Sequence, residues 1–166
     1  GPSPPAVLRG VVSTLESNGM RAQAESRRTL TRCETITSGM NPRLTDSGCT
    51  LIVVAEWKPP VYTDDGIRVI TSSTLRNTPS CLDSKIHHNN LLNNSLAKIQ
   101  SNLAGVDDAI MLDQNGFVSE TNATNLFIAK AGTVLTPHPD ACLPGITRGV
   151  VIDLCEKFDI PIIERN

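Results

Sequence analysis

The nine-residue run Cys49–Trp57, CTLIVVAEW, limits the fold more than any other stretch of the chain. It is strongly apolar and β-branched, and Pro59-Pro60 stops it, so it reads as a buried strand. A buried strand needs a core. With 166 residues, 39% of them hydrophobic and 19% charged, the chain can bury one sizeable core but not two comfortable domains. One compact domain, or part of something larger, is the expectation.

Other elements follow from pattern and punctuation. Ala6–Asn18 sets Val7, Leu8, Val11, Val12 and Leu15 at helical spacing and closes on Asn18-Gly19. Glu25–Thr37 alternates weakly, as a half-buried strand does, and the Met40–Gly48 stretch with Asn41-Pro42 reads as loop. Asp64-Asp65-Gly66 turns into a strand at Ile67–Ser72, and Thr74–Ser84 is polar and irregular. From Asn90, residues Leu91, Leu92, Ser95, Leu96, Ile99 and Leu103 form one apolar helical stripe, with Ala104-Gly105 at its end. Ala109–Asp113 and Phe117–Glu120 read as a hairpin about Asn115-Gly116, and Asn125–Lys130 and Thr133–Thr136 as another about Ala131-Gly132. A helix opens at Gly145-Ile146-Thr147-Arg148 and runs to about Phe158, and a last strand starts at Ile160.

Composition excludes several partners. A net charge of −2 and a pI near 5.9 give no basic field for nucleic acid. No apolar stretch approaches the roughly 20 residues that span a bilayer, and no charged-then-apolar leader opens the chain. Gly1-Pro2 reads as a scar of tag removal. The five cysteines, Cys33, Cys49, Cys81, Cys142 and Cys155, are widely spaced and form no CxxC or Cys/His zinc pattern, so no metal is expected. They read as reduced thiols of an intracellular protein, in cytoplasm or an organelle stroma.

The chemistry-bearing stretch is Leu82–Asn94, LDSKIHHNNLLNN. Such polar density has no use in a core. A lysine at the mouth of a strand, Lys85, can attack a carbonyl if burial lowers its pKa; a solvated turn is the plain alternative.

Phe117–Phe127, FVSETNATNLF, followed by Leu143–Arg148, LPGITR, resembles the class IV, fold-type IV pyridoxal-phosphate enzymes: branched-chain and D-amino-acid aminotransferases and aminodeoxychorismate lyases. The resemblance runs from Leu30-Thr31-Arg32 to the Ile160 strand. It implies an α+β fold, with residues 1–75 as the C-terminal part of a small domain, 76–84 as linker and 85–166 as the N-terminal part of a large cofactor-binding domain. A central piece or shortened form of a two-domain, usually homodimeric enzyme is implied, because the relatives' flanking phosphate-gripping arginine and Gly-Thr turn lie outside these residues.

The same resemblance implies the site. Glu120 would pair with the pyridine nitrogen of pyridoxal 5′-phosphate, which makes the ring an electron sink. The backbone N–H groups of Ile146 and Thr147, with the Thr147 hydroxyl, would hold its phosphate at a helix N-terminus, while Arg148 supports the helix or the glutamate. Two registers remain open for the Schiff-base lysine. One aligns Asn90 with the relatives' asparagine and puts His87 at the lysine position; the other takes Asn89-Asn90 as their Asn-Tyr pair and puts Lys85 there. Lys85 is favoured, since residues two apart on a strand share a face about 6.6 Å apart; His87 and Asn90 then line the site. The implied reaction moves an amino group between an amino acid and a 2-oxo acid. A non-catalytic domain that kept the fold, and a lyase of the aminodeoxychorismate type, are the alternatives.

Overall fold

The computed structural model describes every residue except Cys33 and Ser47. Two compact units divide it, Gly1–Val61 and Tyr62–Asn166.

In the first unit, helix α1 (Pro4–Ser17) begins with proline in its first turn, where a missing N–H costs nothing. It ends at Asn18, with Gly19 at φ +66°. Strands β1 (Ala24–Arg32) and β2 (Cys49–Trp57) pair antiparallel from Ala24↔Trp57 to Arg32↔Cys49. The expected strand to Thr37 therefore stops at Arg32, and Thr35 makes only an isolated bridge to Thr45. Within the expected loop, Pro42–Leu44 forms a 3-10 turn whose Arg43 N–H donates to Asn41 Oδ1. The bounds of β2 are those expected, but it is not buried on both faces. Its sheet has two strands, and α1 covers one side, so Leu51, Val53 and Ala55 are half-buried while Ile52 and Val54 are exposed. An apolar run specifies a strand; whether both faces are covered depends on how many layers pack on it.

The second unit contains two three-stranded sheets. In one, β3 (Val69–Thr71) pairs parallel with β4 (Asp108–Leu112), which pairs antiparallel with β5 (Val118–Thr121). In the other, β6 (Ile128–Lys130) pairs antiparallel with β7 (Thr133–Thr136), which pairs parallel with β8 (Ile162–Glu164). Each parallel pair needs a crossover; α2 (Leu92–Leu103) supplies the first and α3 (Ile146–Lys157) the second. The pairing of β3 with β4 lies within the second unit, which begins at Tyr62. The β4–β5 hairpin turns where Asn115-Gly116 predicts. Gly116 takes φ +85°, and Asp113 Oδ1 accepts from the N–H groups of Asn115 and Phe117.

Helix α2 packs through its smallest side chains. Its buried residues are Ala97 and Ser101, both 0% exposed, and Ala97 packs with Ala109 and Met111 of β4. The leucine stripe faces outward in this chain, with Leu92 at 65% and Leu103 at 84% exposure. Small side chains let the helix axis approach the strand closely, so the narrow face won the contact with β4. Leu103→Ala is accordingly expected to change stability by less than about 0.5 kcal/mol, whereas Ala97→Leu overpacks a closed site and costs about 1–3 kcal/mol. Urea unfolding of the two variants separates these; equal costs would mean that α2 packs through its leucines. No helix among the described residues is long and apolar enough to cross a membrane.

Candidate functional site

Glu120 lies on β5 opposite Met111 of β4, and only 5% of it is exposed. A carboxylate so placed needs donors. Arg76, equally buried, meets it at 2.6 Å from Nη2 to Oε1. The Leu143 N–H donates to the same oxygen at 3.3 Å, and Asn125 Nδ2 donates to Oε2 at 3.0 Å. Burial pushes the Glu120 carboxyl above its ordinary pKa, while the Arg76 guanidinium and the Leu143 N–H pull it back.

The fold fixes each partner. Arg76 follows β3, where its own N–H donates to Leu112 O of β4 and its carbonyl accepts from Gln114 Nε2. Its guanidinium also donates to Ser84 Oγ at 2.9 Å and more distantly to Ala141 O at 3.4 Å. Asn125 donates to Leu143 O at 2.8 Å as well, which ties the segment ahead of α3 to the glutamate. Next to it, Gly145 caps α3 with extended backbone and no side-chain cap bond. A Cβ on Gly145 would stand 2.5 Å from Asn125 Oδ1. Gly145→Ala must therefore displace an amide already pinned by two acceptors, at a cost of about 1–2 kcal/mol; a thermal melt unchanged from the parent would show that Asn125 is free to move.

Ile146 and Thr147 stand in the first turn of α3 with exposed side chains, where their N–H groups have no intrahelical acceptor. Arg148, buried, donates to Pro137 O at 3.0 Å and pairs with Glu164 of β8 at 2.5 Å. It supports the helix, one of the two roles expected of it, and makes no bond to Glu120 among those of its guanidinium.

The lysine stretch takes the turn that stood as the plain alternative to a strand mouth. Asp83–Ile86 is a turn, closed by Ile86 N–H to Asp83 O, with the Lys85 N–H donating to Asp83 Oδ1. Lys85 Nζ lies 3.3 Å from the same carboxylate, with its side chain 45% exposed. Asp83 is held below its ordinary pKa, first by that backbone N–H. The alternation argument that put Lys85 and His87 on one face thus fails, since it holds only for extended backbone. His87 and Asn90 are exposed. His88, the second histidine of this stretch, has both ring nitrogens buried without a partner among the described residues.

The amino-transferase class IV family profile matches residues 2–166. The chain belongs to the class IV aminotransferases. Branched-chain-amino-acid aminotransferase-like protein 2 of Arabidopsis thaliana is 58% identical over 99% of this chain and 30% of its own length. A branched-chain aminotransferase from the thermophilic archaeon Thermoproteus uzoniensis, solved with norvaline, superposes with a TM-score of 0.85 at 26% identity, over 95% of this chain and 52% of that one. A putative 4-amino-4-deoxychorismate lyase from Legionella pneumophila, at 21% identity and TM-score 0.85 over 99% of this chain and 59% of that one, shares the fold. The α+β, fold-type IV expectation is met. The chain spans between 30% and 59% of the length of these proteins.

The residues of this class IV chain fit the cofactor such enzymes use at two points. A carboxylate has about four acceptor positions; Glu120 Oε2 receives one donor, which leaves room for a ring N–H. The unpaired first turn of α3 suits phosphate. Arg76 and Asn125 bond Glu120, and Ser84 bonds Arg76; sequence reasoning gave none of the three a role. The described cysteines, Cys49, Cys81, Cys142 and Cys155, are free thiols; Cys33 lies outside the described residues. Burial pushes the Cys142 thiol up to about 11, so it stays neutral.

Proposed function

We propose that this class IV chain carries part of the site for pyridoxal-phosphate-dependent transfer of an amino group between an amino acid, branched-chain by its named relatives, and a 2-oxo acid. The observation that carries the reading is the buried Glu120 carboxylate with an acceptor position open on Oε2. When bound, the cofactor supplies an aldehyde carbon for the amino group and a ring that accepts electrons. Glu120 holds a proton on the ring nitrogen. Ile146 and Thr147 bind phosphate oxygens through their N–H groups. Lys85 holds the aldehyde carbon and, once its amine is free, moves the proton from the substrate Cα. His87 and Asn90 stand beside the substrate, and the complete protein works as a homodimer.

Lys85 must first leave Asp83, and that contact favours a second reading, a non-catalytic domain that kept the fold. Borohydride reduction of the full-length protein with pyridoxal phosphate, followed by peptide mapping, decides between them. We expect the label on Lys85. A label on another lysine overturns the assignment, and no label supports the non-catalytic domain.

A further inference from the structure

We infer that Arg76 is a positioning residue of this site, joining through one nitrogen the carboxylate of Glu120 to the turn that carries Lys85. Its Nη2 lies 2.6 Å from Glu120 Oε1 and 2.9 Å from Ser84 Oγ. Ser84 directly precedes Lys85. No other side-chain hydrogen bond among the described residues links that turn to the glutamate. The inference rests on the reading that Glu120 meets the cofactor ring.

Two features set this pair apart from an ordinary buried ion pair. Arg76 Nη1 is buried and has no partner among the described residues, so the guanidinium is not fully spent on the fold and can take an oxygen of a bound ligand. The acceptor Ser84 is itself buried, on a segment whose next residue is half-exposed. A planar guanidinium bridges two such acceptors in fixed geometry; an ammonium on a flexible stem does not. Arg76 therefore sets both the charge of Glu120 and the position of the turn relative to it.

The surrounding ionisable groups leave this task to Arg76. Cys142, ahead of α3, interacts with both Glu120 and Arg76 but is neutral below about 11. Arg148 of α3 and Glu164 of β8 pair with each other at 2.5 Å.

The test uses the full-length protein. In its cofactor-free form, carbon NMR of labelled glutamate reads the titration of Glu120. Arg76→Gln is expected to raise its midpoint by about one unit or more, and Arg76→Lys, which keeps the charge, to restore most of the shift. A folded Arg76→Gln protein with an unmoved midpoint overturns the inference. If Arg76→Gln does not fold, Arg76→Lys and Ser84→Ala carry the test through cofactor affinity read by absorbance. Each is expected to weaken pyridoxal phosphate binding about tenfold, the loss of one hydrogen bond to a charged group; affinities equal to the parent overturn it. Glu120→Gln in the same absorbance titration isolates the underlying reading. If its cofactor spectrum and affinity match the parent, the ring-nitrogen assignment fails, and the failure is distinct from that of Arg76.

Discussion

Replacing Glu120 by alanine is expected to destabilise the second unit by about 3–5 kcal/mol, the scale for removing one partner of a buried ion pair. The loss has a specific origin. Arg76 would keep its charge at 5% exposure with no carboxylate opposite, and the Leu143 N–H would lose its acceptor. Replacing both partners, Glu120→Leu with Arg76→Met, leaves no stranded charge and should cost well under the sum of the single changes. Denaturant unfolding of the four chains measures this coupling, and additive costs would show that the pair contributes nothing as a unit. The pH dependence has a definite sign. Burial raises the folded pKa of Glu120 above its ordinary 4.5, so the folded chain keeps this proton longer than the unfolded chain and stability falls as pH rises from that value through the folded pKa. Above that window the carboxylate is still paired with Arg76, so only the proton-linked part is lost. The parent chain should therefore weaken over that window, and the Glu120→Ala chain should lack the decline.

Helices and strands were legible where one local rule sufficed. β2, β7 and the Asn115-Gly116 turn stand where their residues put them, and α3 opens at the LPGITR motif. What the pattern left open was which neighbour each element meets. The stripe on α2 signals an apolar face correctly, yet Ala97 and Ser101 make the close contact with β4, because small residues permit an approach that leucines prevent. The same limit hid half of the site. Glu120 stood out within SETNATN, but Arg76 is 44 residues earlier, in a stretch that reads only as polar, and its role exists only once β3 and β4 align. Asn125 was in view inside the motif. That it would bond both Glu120 and Leu143 depends on a loop fold that no periodicity encodes. Lys85 follows a strand and precedes a helix, so a strand mouth and a turn were both open readings, and Asp83 settles the turn by folding its own carboxylate onto the following backbone.

Tyr62→Phe is expected to cost about 1.5–3 kcal/mol, the worth of a hydrogen bond to a charged group. The Tyr62 hydroxyl donates to Asp108 Oδ2, and Asp108, at the start of β4, is 1% exposed. With phenylalanine in place, that buried carboxylate keeps, among the described residues, only the Ala109 N–H on its other oxygen. Burial, then Asp108, raises the Tyr62 pKa above its ordinary 10.0, against the hydroxyls of Thr124 and Thr121. For an acid with a raised folded pKa, the stability it lends is whole below 10 and drains away as pH rises through the folded value. The parent should thus soften in alkali, and Tyr62→Phe should remove that softening while being weaker at neutral pH. Tyr62 is the sole tyrosine, so near-ultraviolet tyrosinate absorbance reports it alone. Asp108→Asn should bring its midpoint back down, and an unchanged midpoint would refute the contact. The consequence reaches the site through the turn after Glu120. Thr121 Oγ1 meets Thr124 Oγ1 at 2.9 Å and accepts from the Ala123 and Thr124 N–H groups, which sets the backbone that presents Asn125. A tyrosine fastened at the base of β4 and flanked by those threonine hydroxyls thereby steadies the loop from which the glutamate draws one of its donors.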